Sequence, residues 1–269
     1  MRTLIVFAHP EPRSFNGGLK DTAVKTLEAA GHEVIVSDLY TMKWRADLSG
    51  DDFVGDRADP DVLDLSREQE NMAATYGPRP EVGAEQEKVV WADTVIFLFP
   101  MWWFGMPAIL KGWCDRVFTR GFAYMTGRKY DTGVFKGRKA MVCTTTGTAG
   151  SLYAPDGIDG DLNHILWPIH NGIFRYLGFD VLPPYVAFAP AAASPTERDC
   201  MLEGFAARLC TIESAEPLFF HPREDYGDDQ RLKPGVIARS GFQWNPGTGQ
   251  SHADAAREFT RSHSSCPAT

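Results

Sequence analysis

The sequence predicts an α/β protein built around a doubly wound, five-stranded parallel sheet with helices on both faces. Short continuous apolar runs such as residues 4–8 are typical of strands that are buried on both faces. These runs alternate with segments in which apolar residues recur at helical spacing, and this alternation predicts a parallel sheet. A strand, a helix and a second strand already follow one another within the first 40 residues, as in a βαβ unit.

Each element can be placed from its apolar pattern and its boundary residues. The predicted strands occupy residues 4–8, 33–39, 94–99, 139–144 and 181–188. The predicted helices occupy residues 19–30, 110–117, 161–177 and 195–213. Gly31 ends the first helix, Pro168 interrupts the third, and Pro195 stands at the first position of the fourth, where proline is favoured. The pair Pro183-Pro184 indicates an edge strand, because proline cannot donate to a neighbouring strand.

Two stretches fall outside this alternation. Residues 40–85 are polar and weakly patterned, which predicts an excursion with one short helix, and residues 81–91 then lead into the third strand. From about residue 216 onward the pattern dissolves. We therefore predict one domain at residues 1–215 and a small irregular C-terminal appendage at residues 216–269, partly disordered over about its last 15 residues.

Composition excludes several classes of function. The formal charge of -8 and the acidic pI near 5.4 argue against nucleic-acid binding and against attachment to anionic lipid. The five cysteines are odd in number and lack a CxxC spacing, which predicts reduced thiols in a cytoplasmic protein and no metal site. The chain is expected to lack a signal peptide, because its first residues already enter a predicted strand.

A membrane span is not predicted either. Residues 94–110 are apolar, but Pro100, Gly105 and Pro107 break the run, so a strand and a loop are favoured over a membrane span.

Three loops should meet at one edge of the sheet, because the carboxyl ends of parallel strands lie together and ligands bind there. They are residues 9–16, 100–107 and 145–153. The first carries neither GxGxxG nor a phosphate-binding GxxxxGK[ST] motif. Instead, Ser14, Asn16 and the amides of the next helix could hold a phosphate, and Gly17-Gly18 would admit a ligand close to the backbone. The alternative is a simple capped helix start.

The other two loops favour a flat aromatic ligand. Trp102-Trp103-Phe104 is an unusual run for a connecting loop, and a flavin is the obvious ligand; the alternative is a dimer contact. The hydroxyls and glycine amides of residues 145–151 could donate to the polar edge of a flavin ring, although a plain strand-to-helix turn would explain them too. The three loops support one another because the fold predicts that they converge.

A longer series of motifs runs in order from residue 3 to about residue 220. The motifs are Ala8-His9, Ser14-Phe15-Asn16, Ser37-Asp38-Leu39-Tyr40, Trp103-Phe104-Gly105 with the stretch at residues 107–113, Phe122-Ala123-Tyr124, Thr145-Thr146-Gly147, residues 165–169 and Leu202-Glu203-Gly204. In these motifs and in their order, the chain resembles the flavodoxin-like NAD(P)H:quinone oxidoreductase family of the DT-diaphorase type. The tail after residue 220 matches poorly.

The resemblance implies a flavodoxin-like fold, an FAD cofactor and a homodimer whose active site lies at the subunit interface. It implies ping-pong transfer of a hydride from NAD(P)H, through flavin N5, to a quinone or quinone-like aromatic acceptor. The implied FAD residues are His9, Ser14, Phe15, Asn16 and Gly18 near the pyrophosphate, Met101, Trp102, Trp103, Phe104, Thr145, Thr146, Gly147 and Thr148 along the isoalloxazine, and Arg198 and Leu202 at the adenosine end. The implied substrate slot holds Phe104, Phe122, Tyr124 and Thr126.

Reduction of a flavin requires residues that stabilise the negative charge on its ring, and two further residues of this chain are candidates for that role. Negative charge develops at the N1–C2 carbonyl edge of the flavin, and the family meets it with a tyrosine and a histidine. Tyr153 matches the tyrosine, but Asp159 stands at the histidine position. An ionised Asp159 would repel this charge, whereas a protonated one could donate a hydrogen bond. Thr148, Thr126 and Trp102 also depart from the family pattern, which indicates a reshaped pocket. His164 and His170 further along are interpreted as surface or core histidines, and the alternative is that one of them takes the place of the family histidine.

Two other functions fit the same residues. The first is a flavin-bound regulatory subunit or redox sensor of a partner protein, which could share the site. The second is an electron-transfer flavodoxin, which is disfavoured because such a core needs only about 150 residues. A slot densely lined with aromatic side chains also favours a substrate over a one-electron shuttle.

Overall fold

The computed structural model describes residues 1–238 and the backbone of residues 244–245 and 250–251. Its main strands are β1 (Arg2–Phe7), β2 (Glu33–Asp38), β3 (Thr94–Pro100), β4 (Lys139–Thr145), β5 (Asp180–Val181) and β6 (Tyr185–Ala187). Its α-helices are α1 (Phe15–Ala29), α2 (Leu65–Ala74), α3 (Pro80–Trp91), α4 (Ala108–Val117), α5 (Leu162–Ile169) and α6 (Pro195–Cys210). A short antiparallel pair, β7 (Trp244–Asn245) and β8 (Gln250–Ser251), lies outside the main sheet.

The main sheet is parallel throughout and follows the order β2-β1-β3-β4-β5, with β6 also pairing with β4. This confirms the predicted doubly wound α/β fold. Alternate residues along the strands face opposite sides and form two cores. One core packs Val6, Phe97 and Val142 against α3, α4 and α5. The other packs Ile96 and Met141 against α1 and α6.

Two helices begin at residues that the sequence offers as helix starts, although α1 begins four residues before the predicted apolar repeat at residues 19–30. The Ser14 hydroxyl accepts a hydrogen bond from the Gly17 amide at 3.1 Å and caps α1. Ser194 and Glu197 form a reciprocal capping box at the start of α6, with Pro195 in its first turn. The predicted interruption near Pro168 is also present, because α5 ends at Ile169 and continues as a π-helical turn, His170–Arg175.

The fifth strand was predicted as one continuous element at residues 181–188, and this is wrong in detail. It is two short strands, β5 and β6, that pair with opposite ends of β4. Pro183 and Pro184 lie between them, and neither has an amide hydrogen with which to continue the ladder. The edge position is confirmed. The excursion holds one short α-helix, α2, as predicted, while α3 begins at Pro80 and leads into β3.

A buried arginine joins the excursion to α4. Arg116 Nε donates to Asp52 Oδ1 at 2.7 Å, and its NH2 group donates to Glu81 Oε1 at 2.9 Å. A third bond, from NH1, reaches the Arg45 carbonyl oxygen at 3.1 Å. The guanidinium carbon lies 4.7 Å from the centre of the Trp44 ring. Because the Arg116 side chain is 1% exposed, these partners replace all of its hydration.

The segment after α6 returns to the edge of the sheet. The Leu218 amide donates to the Val181 carbonyl oxygen at 2.7 Å, and Phe220 packs against the core. Arg175 donates to the His221 carbonyl oxygen and lies 5.1 Å from the Phe220 ring. The division at residue 216 stays a prediction, and the predicted disorder at the C-terminus falls outside the described residues. None of the helices in residues 1–238 has the length and apolarity that a membrane crossing requires.

The described cysteines, Cys114, Cys143, Cys200 and Cys210, form no disulfide, while Cys266 lies outside the described part of the chain. Burial raises the pKa of the Cys114 and Cys143 thiols, so both stay protonated and unreactive in the core.

Candidate active site

A cavity of about 700 Å³ opens at the carboxyl ends of the strands, where the three predicted loops meet. It brings together most of the residues that the sequence assigned to a cofactor: His9, Ser14, Phe15, Asn16, Gly18, Met101, Trp102, Thr145, Thr146, Gly147, Arg198 and Leu202. It is also lined by residues that sequence reasoning missed: Arg13, Pro100, Pro190, Ala191, Pro195 and Asp199.

The start of α1 forms one wall of the cavity. A Cβ atom at Gly17 would lie 1.9 Å from the Pro12 carbonyl oxygen, so glycine is required for the loop to fold back on the helix. Because Ser14 caps only one amide, other amides of the first turn keep the partial positive charge of a helix N-terminus. The capped start and the anion site are therefore compatible interpretations of the same loop.

His9 is held in this loop through its Nδ1 atom. That atom lies 3.0 Å from the Glu11 amide nitrogen and 3.1 Å from the Glu11 carbonyl oxygen, so either tautomer of the ring has a partner there. The ring faces Trp102, with centroids 6.3 Å apart. Because both of these contacts engage Nδ1, Nε2 is the ring nitrogen that is left to meet a ligand in the cavity.

Asn16 joins the first loop to the third. Its Nδ2 atom donates to Thr145 Oγ1 at 2.9 Å across 129 residues of sequence. Its Oδ1 atom is buried and has no donor among the described residues. A buried acceptor without a partner costs free energy, so this oxygen is suited to a donor that a ligand supplies, such as a hydroxyl.

The aromatic run forms a tight turn. Trp102 and Gly105 exchange both backbone hydrogen bonds, each 3.0 Å long. The two central residues, Trp103 and Phe104, have φ of 51° and 57°, as in a type I′ turn. Bulky residues rarely adopt this left-handed conformation, and strain of this kind is typical of functional sites. The turn holds Trp103 at its tip, where the side chain is 99% exposed.

The loop after β4 brings together two of the residues at which this chain departs from the family pattern, Thr148 and Asp159. The Thr148 hydroxyl donates to Asp159 Oδ2 at 3.0 Å. The Asp159 amide donates to the Leu152 carbonyl oxygen at 3.0 Å, which holds its backbone against the turn Gly150–Tyr153. The buried Tyr153 ring lies 6.4 Å from the Phe104 ring and 5.9 Å from the Phe188 ring. Thr148, Tyr153 and Asp159 stand beside the cavity without lining it.

The segment after β6 forms another wall of the cavity, in addition to the three predicted loops. Arg198 NH1 donates to the Ala193 carbonyl oxygen at 2.8 Å and lies 3.4 Å from the Pro190 carbonyl oxygen, which fixes that segment to α6. Pro190 and Ala191 carry no reactive group, so their side chains do not mark them as site residues. The order of the strands could have predicted their position, because the carboxyl end of the fifth strand lies at the same edge of the sheet as the cavity.

The residues predicted to form the substrate slot lie outside the cavity of their own chain. Phe122 packs on Phe135 with ring centroids 6.0 Å apart, and Tyr124 meets Tyr176 at 5.6 Å. Thr126 is exposed. Burial raises the pKa of Tyr124, so its hydroxyl is protonated at neutral pH. Within one chain, Phe122, Tyr124 and Thr126 do not line the cavity, and neither do Trp103 and Phe104.

His170 is a core histidine. It is 3% exposed, and burial lowers its pKa to about 4, so the ring is neutral at pH 7. Its Nε2 atom has no partner among the described residues. It does not line the cavity, so a role there in place of the family histidine is not supported.

The sheet and its helices have clear counterparts among known proteins. A family model described as a flavodoxin-like fold matches residues 1–211. NAD(P)H dehydrogenase (quinone) 1 of Rattus norvegicus is 43% identical over 242 residues, which cover 90% of this chain and 88% of that protein. Ribosyldihydronicotinamide dehydrogenase (quinone) of Homo sapiens is 42% identical over 217 residues, covering 81% and 94%. A crystal structure described as a quinone reductase from Klebsiella pneumoniae has a TM-score of 0.85 at 38% identity, covering 93% and 100%.

Proposed function

Because the chain belongs to the flavodoxin-like NAD(P)H:quinone oxidoreductase family, we propose that it is an FAD-dependent enzyme that passes a hydride from NAD(P)H to a quinone or quinone-like aromatic acceptor. The observation that carries the proposal is the cavity, in which a helix N-terminus, an orphan amide oxygen and an aromatic turn meet. A dinucleotide flavin needs these three surroundings for its phosphates, its polyol chain and its ring.

The residues present fit FAD. His9 Nε2 and the first-turn amides of α1 would hold the pyrophosphate, and Asn16 Oδ1 would accept from a ribityl hydroxyl. Met101 and Trp102, together with Thr145, Thr146 and Gly147 across the cavity, would hold the ring system. Arg198 and Leu202 would lie at the adenosine end, where the extra wall after β6 favours FAD over a mononucleotide.

The chemistry that FAD supplies when bound is two-electron hydride transfer at its N5 atom, in a ping-pong cycle with NAD(P)H first and the acceptor second. The chain's own part is to position the rings, exclude water and manage charge. Tyr153 and Asp159 would face the carbonyl edge of the ring, where negative charge accumulates. Thr148 fixes the Asp159 carboxyl group by donating to it at 3.0 Å.

We further propose that the protein is a homodimer whose partner completes each active site. The slot residues Phe122, Tyr124 and Thr126 do not line the cavity of their own chain. A second copy would bring them to the flavin, and it would cover the Trp103 ring, which one chain leaves 99% exposed. We keep the prediction of a cytoplasmic location, which agrees with the four free cysteines among residues 1–238. We also keep the prediction of an appendage at residues 216–269.

The purified protein is expected to be yellow, and the released cofactor is expected to run with FAD in chromatography. Anaerobic mixing with NADH or NADPH should bleach the flavin absorbance within seconds, and a quinone should restore it. Protein that purifies without flavin would contradict the cofactor proposal. Flavin that stays oxidised in the presence of both nucleotides would contradict the enzyme and favour the regulatory or sensor role.

Asp159→Asn is expected to keep neutral-pH activity within about threefold of the wild type, a change below ~1 kcal/mol in activation free energy. The asparagine carbonyl can still accept from Thr148, while its amide can donate as a protonated aspartic acid would. The measurement is kcat for quinone reduction, with Asp156→Asn as a control that makes the same substitution at an exposed position nearby. A loss of two orders of magnitude specific to Asp159→Asn would show that Asp159 acts otherwise.

A further inference from the structure

The segment between α4 and β4 carries two neighbouring cations, Arg128 and Lys129, beside an aromatic wall. The Lys129 ammonium lies 5.9 Å from the centre of the Tyr124 ring and 5.1 Å from that of Tyr176. Both distances are within the range of cation–π attraction. The two tyrosine rings meet at an interplanar angle of 64°. Lys129 is therefore held over two rings, one of which, Tyr124, belongs to the proposed substrate slot.

The backbone around Lys129 is held in place. The Thr132 hydroxyl lies 2.7 Å from the Gly127 carbonyl oxygen and 3.0 Å from the Lys129 carbonyl oxygen. Tyr130 has a φ of 55°, which is rare for an aromatic residue, and its ring lies 5.3 Å from that of Tyr176. Such a conformation persists only where the surroundings determine it. The position of Lys129 is thus built into the loop.

The charge of these two residues is not balanced. Within residues 1–238, neither Arg128 nor Lys129 has a carboxylate at ion-pair distance. The nearest acid in sequence, Asp131, accepts from the Arg223 backbone amide. Other cations near the wall already have polar partners, because Arg120 pairs with Glu70 at 3.1 Å and the buried Arg175 donates to Asn171 Oδ1 at 2.9 Å and to the His221 carbonyl oxygen. Among the described residues, Lys129 and Arg128 are therefore the cations of this wall that are left for a ligand.

We propose that Lys129, with Arg128 beside it, selects acceptors that carry an acidic group, such as a carboxylate or sulfonate on a quinone ring. The inference rests on the proposed function, since it takes Tyr124 as a wall of the slot. The flat ring of the acceptor would pack on the tyrosine, and its acidic group would meet the ammonium. A neutral quinone would pack equally well but leave Lys129 unpaired. The phosphates of NAD(P)H are the other anions that enter this site.

A ping-pong enzyme meets the phosphates of NAD(P)H in its first half-reaction and the acidic group of the acceptor in its second. Each half-reaction can be followed alone in a stopped-flow instrument, so the effects of the two anions can be measured separately. Wild type, Lys129→Met and Lys129→Arg would first be reduced with NADH or NADPH. The reduced proteins would then be mixed with 1,4-naphthoquinone or with its 2-sulfonate. Lys136→Met is the matched control, because it removes an exposed lysine from the same loop.

Lys129→Met should slow reoxidation by the sulfonate about fivefold, the size of a partly exposed ion pair, and leave the neutral quinone unchanged. Lys129→Arg should retain the preference, and Lys136→Met should behave as the wild type. Equal slowing with both quinones would overturn the proposal, as would an effect confined to reduction by NADPH or NADH. If neither nucleotide reduces the wild type, the proposed function itself fails and this inference with it.

Discussion

Gly17→Ala should weaken FAD binding by about tenfold or more and lower the free energy of unfolding by about 1–3 kcal/mol. The new Cβ atom would lie 1.9 Å from the Pro12 carbonyl oxygen and 2.8 Å from its carbonyl carbon. These are backbone atoms, so no side chain can rotate away to make room. Either the loop moves off α1 or the helix start distorts, and both changes displace His9 and Ser14 from the cavity. Flavin content and fluorescence titration of the stripped protein would measure the loss.

Two alanine variants make this experiment specific. At Gly83, inside α3, a Cβ atom would be in ordinary contact, 3.5 Å from the Pro78 side chain, so Gly83→Ala should leave flavin binding unchanged. At Gly18 a Cβ atom would have room within the protein, 3.8 Å from Leu202. Gly18→Ala should therefore leave the free energy of unfolding unchanged, so any loss of flavin affinity in this variant would report how closely the ligand approaches the backbone at this position. Normal flavin binding by Gly17→Ala would mean that the loop does not hold the cofactor.

Arg116→Met should lower the free energy of unfolding by about 3–5 kcal/mol, the cost of removing one partner from a buried ion pair. The change removes one of the two arginines that pair with Asp52, whose side chain is 7% exposed, and leaves the Arg45 carbonyl oxygen without this donor. Arg45 also pairs with Asp52, at 2.7 Å, so the lower part of that range is expected. Urea unfolding at fixed flavin concentration would measure the change.

Three further variants separate charge from packing at this position. Arg67→Met removes a 57% exposed arginine that pairs with Asp59, and it should cost less than about 1 kcal/mol. Arg116→Lys keeps the charge but not the planar fork, so it should recover only part of the loss. Adding Asp52→Asn to Arg116→Met should restore some stability, because the buried carboxylate that is left with Arg45 as its only arginine is then replaced by a neutral amide. Identical losses in the single and double variants would contradict this account.

The sequence was sufficient to predict the sheet and the convergence of its loops, because buried parallel strands have an apolar pattern that few other elements share. Ser14 and Pro195 marked helix starts correctly, since capping chemistry is local. The division of the last strand was missed because two prolines indicate an edge and a break equally well. The wall at Pro190 and Ala191 was missed because position alone, not chemistry, brings those residues to the cavity.

Side-chain geometry at the site was less predictable. No local rule anticipates that Trp103 and Phe104 adopt left-handed backbone conformations, because aromatic residues are disfavoured there. The bond between Thr148 and Asp159 was likewise not foreseen, although both residues had been singled out separately. Whether the predicted residues hold FAD stays a prediction, as does the assembly that would bring Tyr124 to the cavity.

The broken fifth strand also bears on how the protein avoids self-association through its sheet. A continuous edge strand would offer a row of unpaired amides and carbonyls to any passing chain, which is how sheets aggregate. Here that edge consists of a two-residue strand and a three-residue strand with Pro183 and Pro184 between them. An incoming strand would find too few consecutive partners to form a ladder. The same prolines that interrupt the fifth strand therefore protect this edge of the sheet against growth by strand addition.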